Sequence, residues 1–184
     1  MTVAGQRPMT ISTFDGLGMA IFRQSHILAI LALAYDESHV AREEAAMKSL
    51  IFMSPEHVSR MNELLAESDL VLEACAELDR GFEIAYELEG GPDGTVYWVL
   101  EFSPDAGAMF SLAPPNAADL TFFGNWAETI RSSKAVRDGD GEEPVFEMHG
   151  DSTVLTRTED AFRAAQSAAT VPVEFPDTEG FYPL

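Results

Sequence analysis

One stretch, GFEIAYELEGGPDGTVYWVLEF from Gly81 to Phe102, predicts a β-hairpin around which the rest of the chain can be arranged. In its first half apolar and acidic residues alternate, which places an apolar row on one face of a strand and an acidic row on the other. The glycine-rich segment Gly90–Gly94 supplies the backbone conformations of a reversing loop, and the chain returns from Thr95 with a second apolar row. Because an isolated hairpin is unstable in water, its apolar face must be covered by helices, by a ligand or by both.

Composition narrows the class of protein. A chain of 184 residues suffices for one domain, or for a domain with a helical extension. Its 31 acidic and 11 basic residues give a net charge of −20, which argues against nucleic acid and against anionic membranes as partners, because both would repel it. The single cysteine, Cys75, falls in an apolar helical pattern and excludes an intramolecular disulfide or a thiolate metal cluster.

No segment of the sequence predicts stable insertion into a membrane. The most hydrophobic run, Ile27–Tyr35, is far shorter than the roughly 20 residues needed to cross a bilayer. The segment Met1–Gly18 lacks the apolar core and cleavage pattern of a secretory signal. We therefore expect a cytoplasmic protein.

Helices are predicted throughout the region before the hairpin. The segment Leu17–Tyr35 has a helical pattern, and from Ile27 onward it is apolar nearly all round, which is typical of a helix buried on more than one side. Burial within the monomer, a homodimer interface and a ligand tunnel would each account for it. A second helix begins at Ser38, and a third begins after Ser54, which can cap it, and runs to about Glu67.

Further elements follow at short spacing. A fourth helix starts at Ser68 or Asp69, and its expected buried residues are Leu70, Val71, Ala74, Cys75 and Leu78. Beyond the hairpin the pattern predicts three short strands, which are Gly107–Leu112, Ala118–Phe123 and Val145–His149. It also predicts a helix that begins at Gly124 or Asn125 and a last helix within Thr153–Ala169. The proline-containing tail Thr170–Leu184 should run extended across the surface, where it can cover an opening.

Three quoted segments carry a family resemblance. The strands FEIAYELEG and TVYWVLEF form a first meander, ADLTFFGNWAETI leads a strand into a helix, and FEMHGDSTVL joins a last strand to a Gly-Asp turn. From about Asp69 to Ala169 this order resembles the sterol carrier protein 2-like family. The resemblance implies an α+β fold, with a five-stranded, mostly antiparallel sheet covered by helices. Residues 1–67 would then form an N-terminal arm and helical extension and residues 68–184 the sterol-carrier-like domain, the two making one compact unit.

The same resemblance implies binding or transfer of a hydrophobic small molecule, such as a sterol, an acyl chain or a polyketide-like compound, in an apolar tunnel without a cofactor. Flexible methionine and flat aromatic side chains suit such a guest, although they would equally suit a packed core. The candidate ligand-binding residues are Phe82, Tyr86, Trp98, Phe102, Met109, Phe110, Phe122 and Trp126.

The alternative function is catalysis, although the family that the sequence resembles is regarded as non-enzymatic. His149 and Asp151 flank Gly150, and if both faced a cavity the histidine could act as general base in an isomerase or cyclase acting on an apolar substrate. In the other interpretation Asp151 hydrogen-bonds backbone amides and His149 lies on the solvent face. His26, just before the apolar run, could hydrogen-bond a ligand head group.

The sequence predicts no metal site, because no two of its four histidines have the i, i+4 spacing of a helical metal pair. It also lacks a G-x-S-x-G elbow, a phosphate loop and a G-x-G-x-x-G fingerprint. A third hypothesis is a structural protein that forms a homodimer through its N-terminal helices.

Overall fold

The structure, a computed structural model, describes residues 50–139 and 144–181. The expected helices at Leu17–Tyr35 and from Ser38, together with His26, lie outside the described residues. The strands are β1 (Leu50–Ile51), β2 (Phe82–Gly91), β3 (Gly94–Ser103), β4 (Gly107–Ser111), β5 (Leu120–Asn125), β6 (Glu147–Gly150) and β7 (Val173–Glu174). The helices are α1 (Pro55–Ala66), α2 (Asp69–Ala76), α3 (Trp126–Arg137), α4 (Val154–Arg157) and α5 (Glu159–Ala168).

The predicted hairpin is confirmed and forms the centre of a five-stranded sheet with the order β4-β3-β2-β5-β6. β2 and β3 pair antiparallel from Phe82 opposite Phe102 to Gly91 opposite Gly94. β2 pairs parallel with β5, whereas the β3–β4 and β5–β6 ladders are antiparallel. The expected α+β fold with a mostly antiparallel sheet is therefore confirmed for the part of the chain that the structure describes.

The two faces of the sheet differ as the alternation predicts. The inner face presents Phe82, Ile84, Tyr86 and Leu88 of β2, all buried in the hydrophobic core. Glu83, Glu87 and Glu89 project from the other side of the same strand, which we call the outer face. All five described helices contribute buried residues to the same core cluster; these include Met61, Val71, Ile130, Val154 and Phe162.

Helix α1 begins where the sequence predicts, because the Ser54 hydroxyl accepts a hydrogen bond from the His57 amide at 3.2 Å. Its Asn62 side chain reaches the edge strand β4: the amide nitrogen donates to the Phe110 carbonyl at 2.9 Å and the amide oxygen accepts from the Phe110 N–H at 2.8 Å. This bidentate contact satisfies backbone groups that an edge strand would otherwise leave without protein partners.

One prediction for α2 is wrong. Val71 and Cys75 are fully buried, but Leu70 is 66% exposed. The helix is short, and its single buried stripe follows the i, i+4 pair Val71 and Cys75. Leu70 is turned about 100° from that stripe, so it faces the groove towards α5 instead of the sheet.

The Gly-Asp turn after β6 is tightly constrained. Gly150 has φ +109°, and a Cβ there would lie 2.3 Å from the Asp119 carbonyl oxygen. The Asp151 carboxylate accepts hydrogen bonds from the Thr153 amide at 2.9 Å and the Thr153 hydroxyl at 2.7 Å. This turn directs the chain from the sheet edge into α4.

The tail runs extended, as the sequence predicts, and packs on the core. β7 pairs parallel with β1, and the Phe52 amide donates to the Glu174 carbonyl at 2.9 Å. The Phe175 ring packs on Phe52 with centroids 5.2 Å apart, and the Phe181 ring packs edge-on against Trp126 at 5.2 Å.

Candidate functional site

A row of three aromatic side chains crosses the middle of the inner face. Tyr86 lies opposite Trp98 in the antiparallel ladder and opposite Phe122 in the parallel ladder, so the three residues are adjacent on β3, β2 and β5. Tyr86 and Phe122 stack with centroids 4.8 Å apart and planes 15° apart. We call Trp98, Tyr86 and Phe122 the aromatic row.

Further rings surround the row. Trp98 packs against Phe52 at 5.7 Å and against Phe110 at 5.0 Å. At the other end Phe146 contacts Tyr86 edge-on at 5.3 Å. Phe146 lies over Gly124, where a Cβ would come within 2.8 Å of its ring, so the glycine makes room for it. The aromatic row and these three phenylalanines form what we call the aromatic interior.

The imidazole of His57, in α1, packs against the aromatic interior. The ring stacks on Trp98 with centroids 5.7 Å apart and planes 20° apart, and His57 is only 5% exposed. Burial lowers the pKa of His57 from 6.5 to about 4, because desolvation disfavours the charged ring. The ring is therefore neutral at pH 7. Since Nδ1 accepts the Met53 N–H at 3.2 Å, the proton of this neutral ring is on Nε2.

The backbone beside His57 is strained. Met53 has φ +61° and is the only non-glycine residue in the described ranges with a positive φ. The Met53 amide donates its hydrogen bond to Nδ1 of His57, so the imidazole fixes a tight turn between β1 and α1. Strain of this kind persists where the surrounding structure holds it in place, here by the hydrogen bond to His57.

The hydroxyl of Tyr86 has no hydrogen-bond partner. It and Ser133 Oγ are the two fully buried side-chain polar atoms within residues 50–139 and 144–181 that lack one. Burial raises the pKa of Tyr86, so the group stays a protonated donor. An unsatisfied buried hydroxyl is costly, and such groups call for an explanation.

Two arginines lie over the ring of Phe82, the first residue of β2. The guanidinium of Arg80 lies 4.1 Å from the centroid of the Phe82 ring, and that of Arg157 lies 4.5 Å from it. Arg80 is held by Asp119 at 2.7 Å and Arg157 by Asp79 at 2.6 Å. The Arg80 contact is the main reason that the pKa of Asp119 lies below its usual range.

The structure brings most of the predicted ligand-binding residues together. Seven are buried in the core cluster, namely Phe82, Tyr86, Trp98, Phe102, Phe110, Phe122 and Trp126. Met109 is separated from them: it pairs with Glu101 on the outer face and is 48% exposed. Sequence reasoning did not select His57, Phe52 or Phe146. The His57 position reads as an ordinary first turn of a helix, and nothing local indicates that its ring reaches Trp98.

Two open depressions are formed by described residues. A groove of about 850 Å³ lies between α2 and α5, lined by residues that include Leu70, Glu73 and Arg163. A hollow of about 370 Å³ lies on the outer face beside β5 and β6, lined by Glu89, Phe123, Gly124, Glu147 and His149.

The structure gives the two catalytic candidates, His149 and Asp151, separate partners. His149 is exposed, and its Nε2 lies 2.6 Å from a carboxylate oxygen of Glu147, whereas Asp151 is engaged by Thr153 in the turn. The pKa of Asp151 is lowered, first by the hydrogen bond from the Thr153 side chain. The interpretation in which Asp151 serves the turn and His149 faces solvent agrees with these contacts.

The described residues form neither a metal site nor a membrane-spanning helix. No group of three or more histidine, cysteine, aspartate or glutamate side chains there could hold a metal ion. No helix in the same ranges is long and apolar enough to cross a membrane.

Fold and site together define an α+β protein in which one face of a five-stranded sheet carries an aromatic interior with a neutral histidine and an unpartnered tyrosine hydroxyl. No protein-family model and no curated protein matches the chain.

Similar solved structures include a crystal structure of sterol carrier protein 2, with 17% identity over 66% of this chain and 99% of that one and a TM-score of 0.42. A conserved hypothetical protein from Thermus thermophilus, described as possibly a sterol carrier protein, is 17% identical over 72% and 96%, with a TM-score of 0.43. The ubiquinone synthesis protein UbiJ-SCP2 is 20% identical over 60% and 86%, with a TM-score of 0.36. The resemblance stated from the sequence thus recurs among solved structures.

Proposed function

We propose that the protein binds, and can transfer, a hydrophobic small molecule of the sterol, acyl or polyketide-like class within the aromatic interior. The observation that carries this proposal is the aromatic row, three adjacent rings on one face of the sheet with three more rings around them. Flat aromatic walls accept apolar guests of varied shape, and the sequence resemblance implies the same class of ligand.

Burial of apolar surface would drive binding. At about 25 cal/mol per Å², removing roughly 300 Å² of apolar ligand surface from water contributes about 7 kcal/mol before the entropy of association is subtracted. No charged partner is needed for this term, which suits a protein whose described inner-face strand residues are apolar.

The tail is the proposed point of entry. Its contact with β1 is a ladder of two residues on each strand, and beyond the ladder Phe175 covers Phe52 beside Trp98. A guest that displaced Phe175 would meet Phe52, whose ring lies 5.7 Å from that of Trp98. Short ladders open at low cost in free energy, so the tail can exchange its own ring for that of a ligand.

Native mass spectrometry of the purified protein and a titration with dehydroergosterol test the proposal. The chain has two tryptophans, Trp98 in the aromatic row and Trp126 at the start of α3. Energy transfer to the bound sterol should persist in Trp126→Phe, where Trp98 is the donor. Met109→Gln on the outer face is the matched control and should bind as the wild type does. Absence of any co-purifying apolar molecule, together with absence of saturable transfer, contradicts the proposal.

A second candidate function is acid–base catalysis in the outer-face hollow. The observation that favours it is the contact between His149 and Glu147 at 2.6 Å beside an open depression walled by Phe123, whose ring lies 4.9 Å from the imidazole. In this version Glu147, instead of Asp151, orients the histidine. Unchanged turnover of an isomerase or cyclase substrate by His149→Ala would remove this candidate.

A homodimer formed through the N-terminal helices also stays a prediction, because residues 1–49 lie outside the described part. Light scattering of the full chain tests it. A monomer across the concentration range would contradict it.

A further inference from the structure

The hydroxyl of Tyr86, in the middle of the aromatic row, is buried without a hydrogen bond. Tyrosine hydroxyls in protein interiors usually find a partner, because leaving a donor unsatisfied costs a large part of its desolvation free energy. A phenylalanine at this position would fill the same space without that cost. The tyrosine therefore points to a partner that arrives from outside the described residues.

The ring is held so that its hydroxyl cannot simply turn to solvent. Phe122 stacks on one side at 4.8 Å, Phe146 contacts the ring edge-on at 5.3 Å, and Trp98 is the neighbour across the ladder. The O–H is thus a fixed donor in an apolar setting, where a hydrogen bond is electrostatically stronger than in water.

A second buried hydroxyl without a hydrogen-bond partner belongs to Ser133. Ser133 is fully buried on α3, the helix that packs against β2 and β5. A helical serine can donate to the carbonyl four residues earlier, but the Ser133 hydroxyl has no partner. Two orphaned hydroxyls on elements that pack together favour a guest with at least one polar atom over a pure hydrocarbon.

Charge decides what kind of polar atom fits. The neighbours of Tyr86 in the ladders are uncharged, and His57 beside Trp98 is neutral at pH 7. The described arginines that lie over aromatic rings do so outside the aromatic row. Arg80 and Arg157 lie over Phe82, and Arg137 lies over Phe175. Among the described residues a carboxylate at Tyr86 would find no counter-ion in this poorly solvated site, which is strongly unfavourable.

We propose that the ligand is a neutral amphiphile whose uncharged oxygen, a hydroxyl, carbonyl or ester, accepts a hydrogen bond from Tyr86 Oη, and that the site discriminates against free acids. This inference rests on the proposed binding function and adds the head-group chemistry to it.

A matched pair of fluorescent probes tests it: cis-parinaric acid and its methyl ester, which share one chain and differ in charge. At pH 7.5 the wild type should bind the ester at least about tenfold more tightly than the acid, corresponding to about 1.4 kcal/mol. In Tyr86→Phe the dissociation constant of the ester should rise about fivefold to tenfold, whereas that of diphenylhexatriene, which has no polar atom, should change less than twofold.

Tyr97→Phe is the matched control. Tyr97 lies on the outer face opposite Glu87, so its hydroxyl should have no influence on either probe. Because Tyr86→Phe removes only an unsatisfied group, the variant should fold, and circular dichroism checks this. Ser133→Ala is a second variant, which should weaken ester binding if its hydroxyl serves the same guest.

The outcomes separate the two proposals. Equal affinity for acid and ester, or an unchanged ester affinity in Tyr86→Phe, overturns the head-group inference while apolar binding stands. Failure of all three probes to bind the wild type overturns the binding function and this inference with it.

Discussion

The neutral state of His57 predicts a specific loss of stability in acid. The folded pKa is about 4, and an unperturbed histidine in the unfolded chain titrates at 6.5. Above pH 6.5 both states are neutral and the stability is complete. As the pH falls below 6.5 His57 becomes protonated in the unfolded chain but stays neutral in the folded chain, so stability is lost progressively down to about pH 4.

The magnitude follows from the same two values. A pH of about 5 lies roughly 1.5 units below the pKa of the unfolded histidine. Each unit corresponds to about 1.36 kcal/mol, so the free energy of unfolding falls by about 2 kcal/mol. We therefore expect His57 to contribute a loss of about 1–2 kcal/mol between pH 7.5 and 5. Urea unfolding followed by tryptophan fluorescence should therefore show a midpoint lower by about 0.5–1 M at pH 5 than at pH 7.5, beyond the contribution of the carboxylates.

His57→Gln isolates the effect. Glutamine does not titrate and its oxygen can still accept the Met53 amide, so this variant should lose the excess acid sensitivity. His149→Gln, which removes an exposed imidazole, should keep it. If His57→Gln and the wild type lose the same stability between pH 7.5 and 5, the buried neutral histidine is not the cause and the reasoning fails.

Three further predictions concern packing and backbone. Gly150→Ala should cost at least about 2 kcal/mol in urea unfolding, because its Cβ would strike the Asp119 carbonyl oxygen in addition to the positive φ. Asn62→Ala should cost about 1–2 kcal/mol, because it strips both backbone groups of Phe110 of their partner. Cys75, which is fully buried and whose thiol pKa is raised by burial, should react with a thiol reagent at least about 100-fold more slowly in the native state than in urea.

A specific result would contradict each of these three predictions. Gly94 shares the φ of +109° with Gly150 but has open space around it, so Gly94→Ala should cost only about 1 kcal/mol; equal losses at the two sites would refute the contact with Asp119. An Asn62→Ala variant as stable as the wild type would show that water replaces the amide. Rapid native labelling of Cys75 would contradict its burial.

Local patterns account for what the sequence predicts correctly. The hairpin follows from alternation and a glycine-rich loop, and α1 and α3 begin at Ser54 and Asn125, whose side chains accept backbone amides. All of these signals depend on residues a few positions apart. The wrong prediction, burial of Leu70, concerns which of two adjacent apolar residues faces the core, and this depends on where α5 lies.

The sequence predicts only part of the candidate site. The aromatic residues were selected as a group, but Met109 belongs to the outer face because it pairs with Glu101. The partner of His149 is Glu147, two residues earlier on the same strand, instead of Asp151 beyond the turn. Alternation in a short strand with few apolar residues does not reveal these orientations.

The sequence by itself determined the hairpin, the helix starts, the acidic outer face and the resemblance to sterol carrier proteins, because each is encoded by neighbouring residues. Only the tertiary structure decided that Tyr86 stacks on Phe122 and meets Phe146 edge-on, with its hydroxyl unpartnered. The same holds for His57, which is buried against Trp98 and stays neutral. The physical reason is that a strand ladder and a helix packed on the sheet bring together residues distant in sequence, and desolvation of a polar group depends on all of them at once.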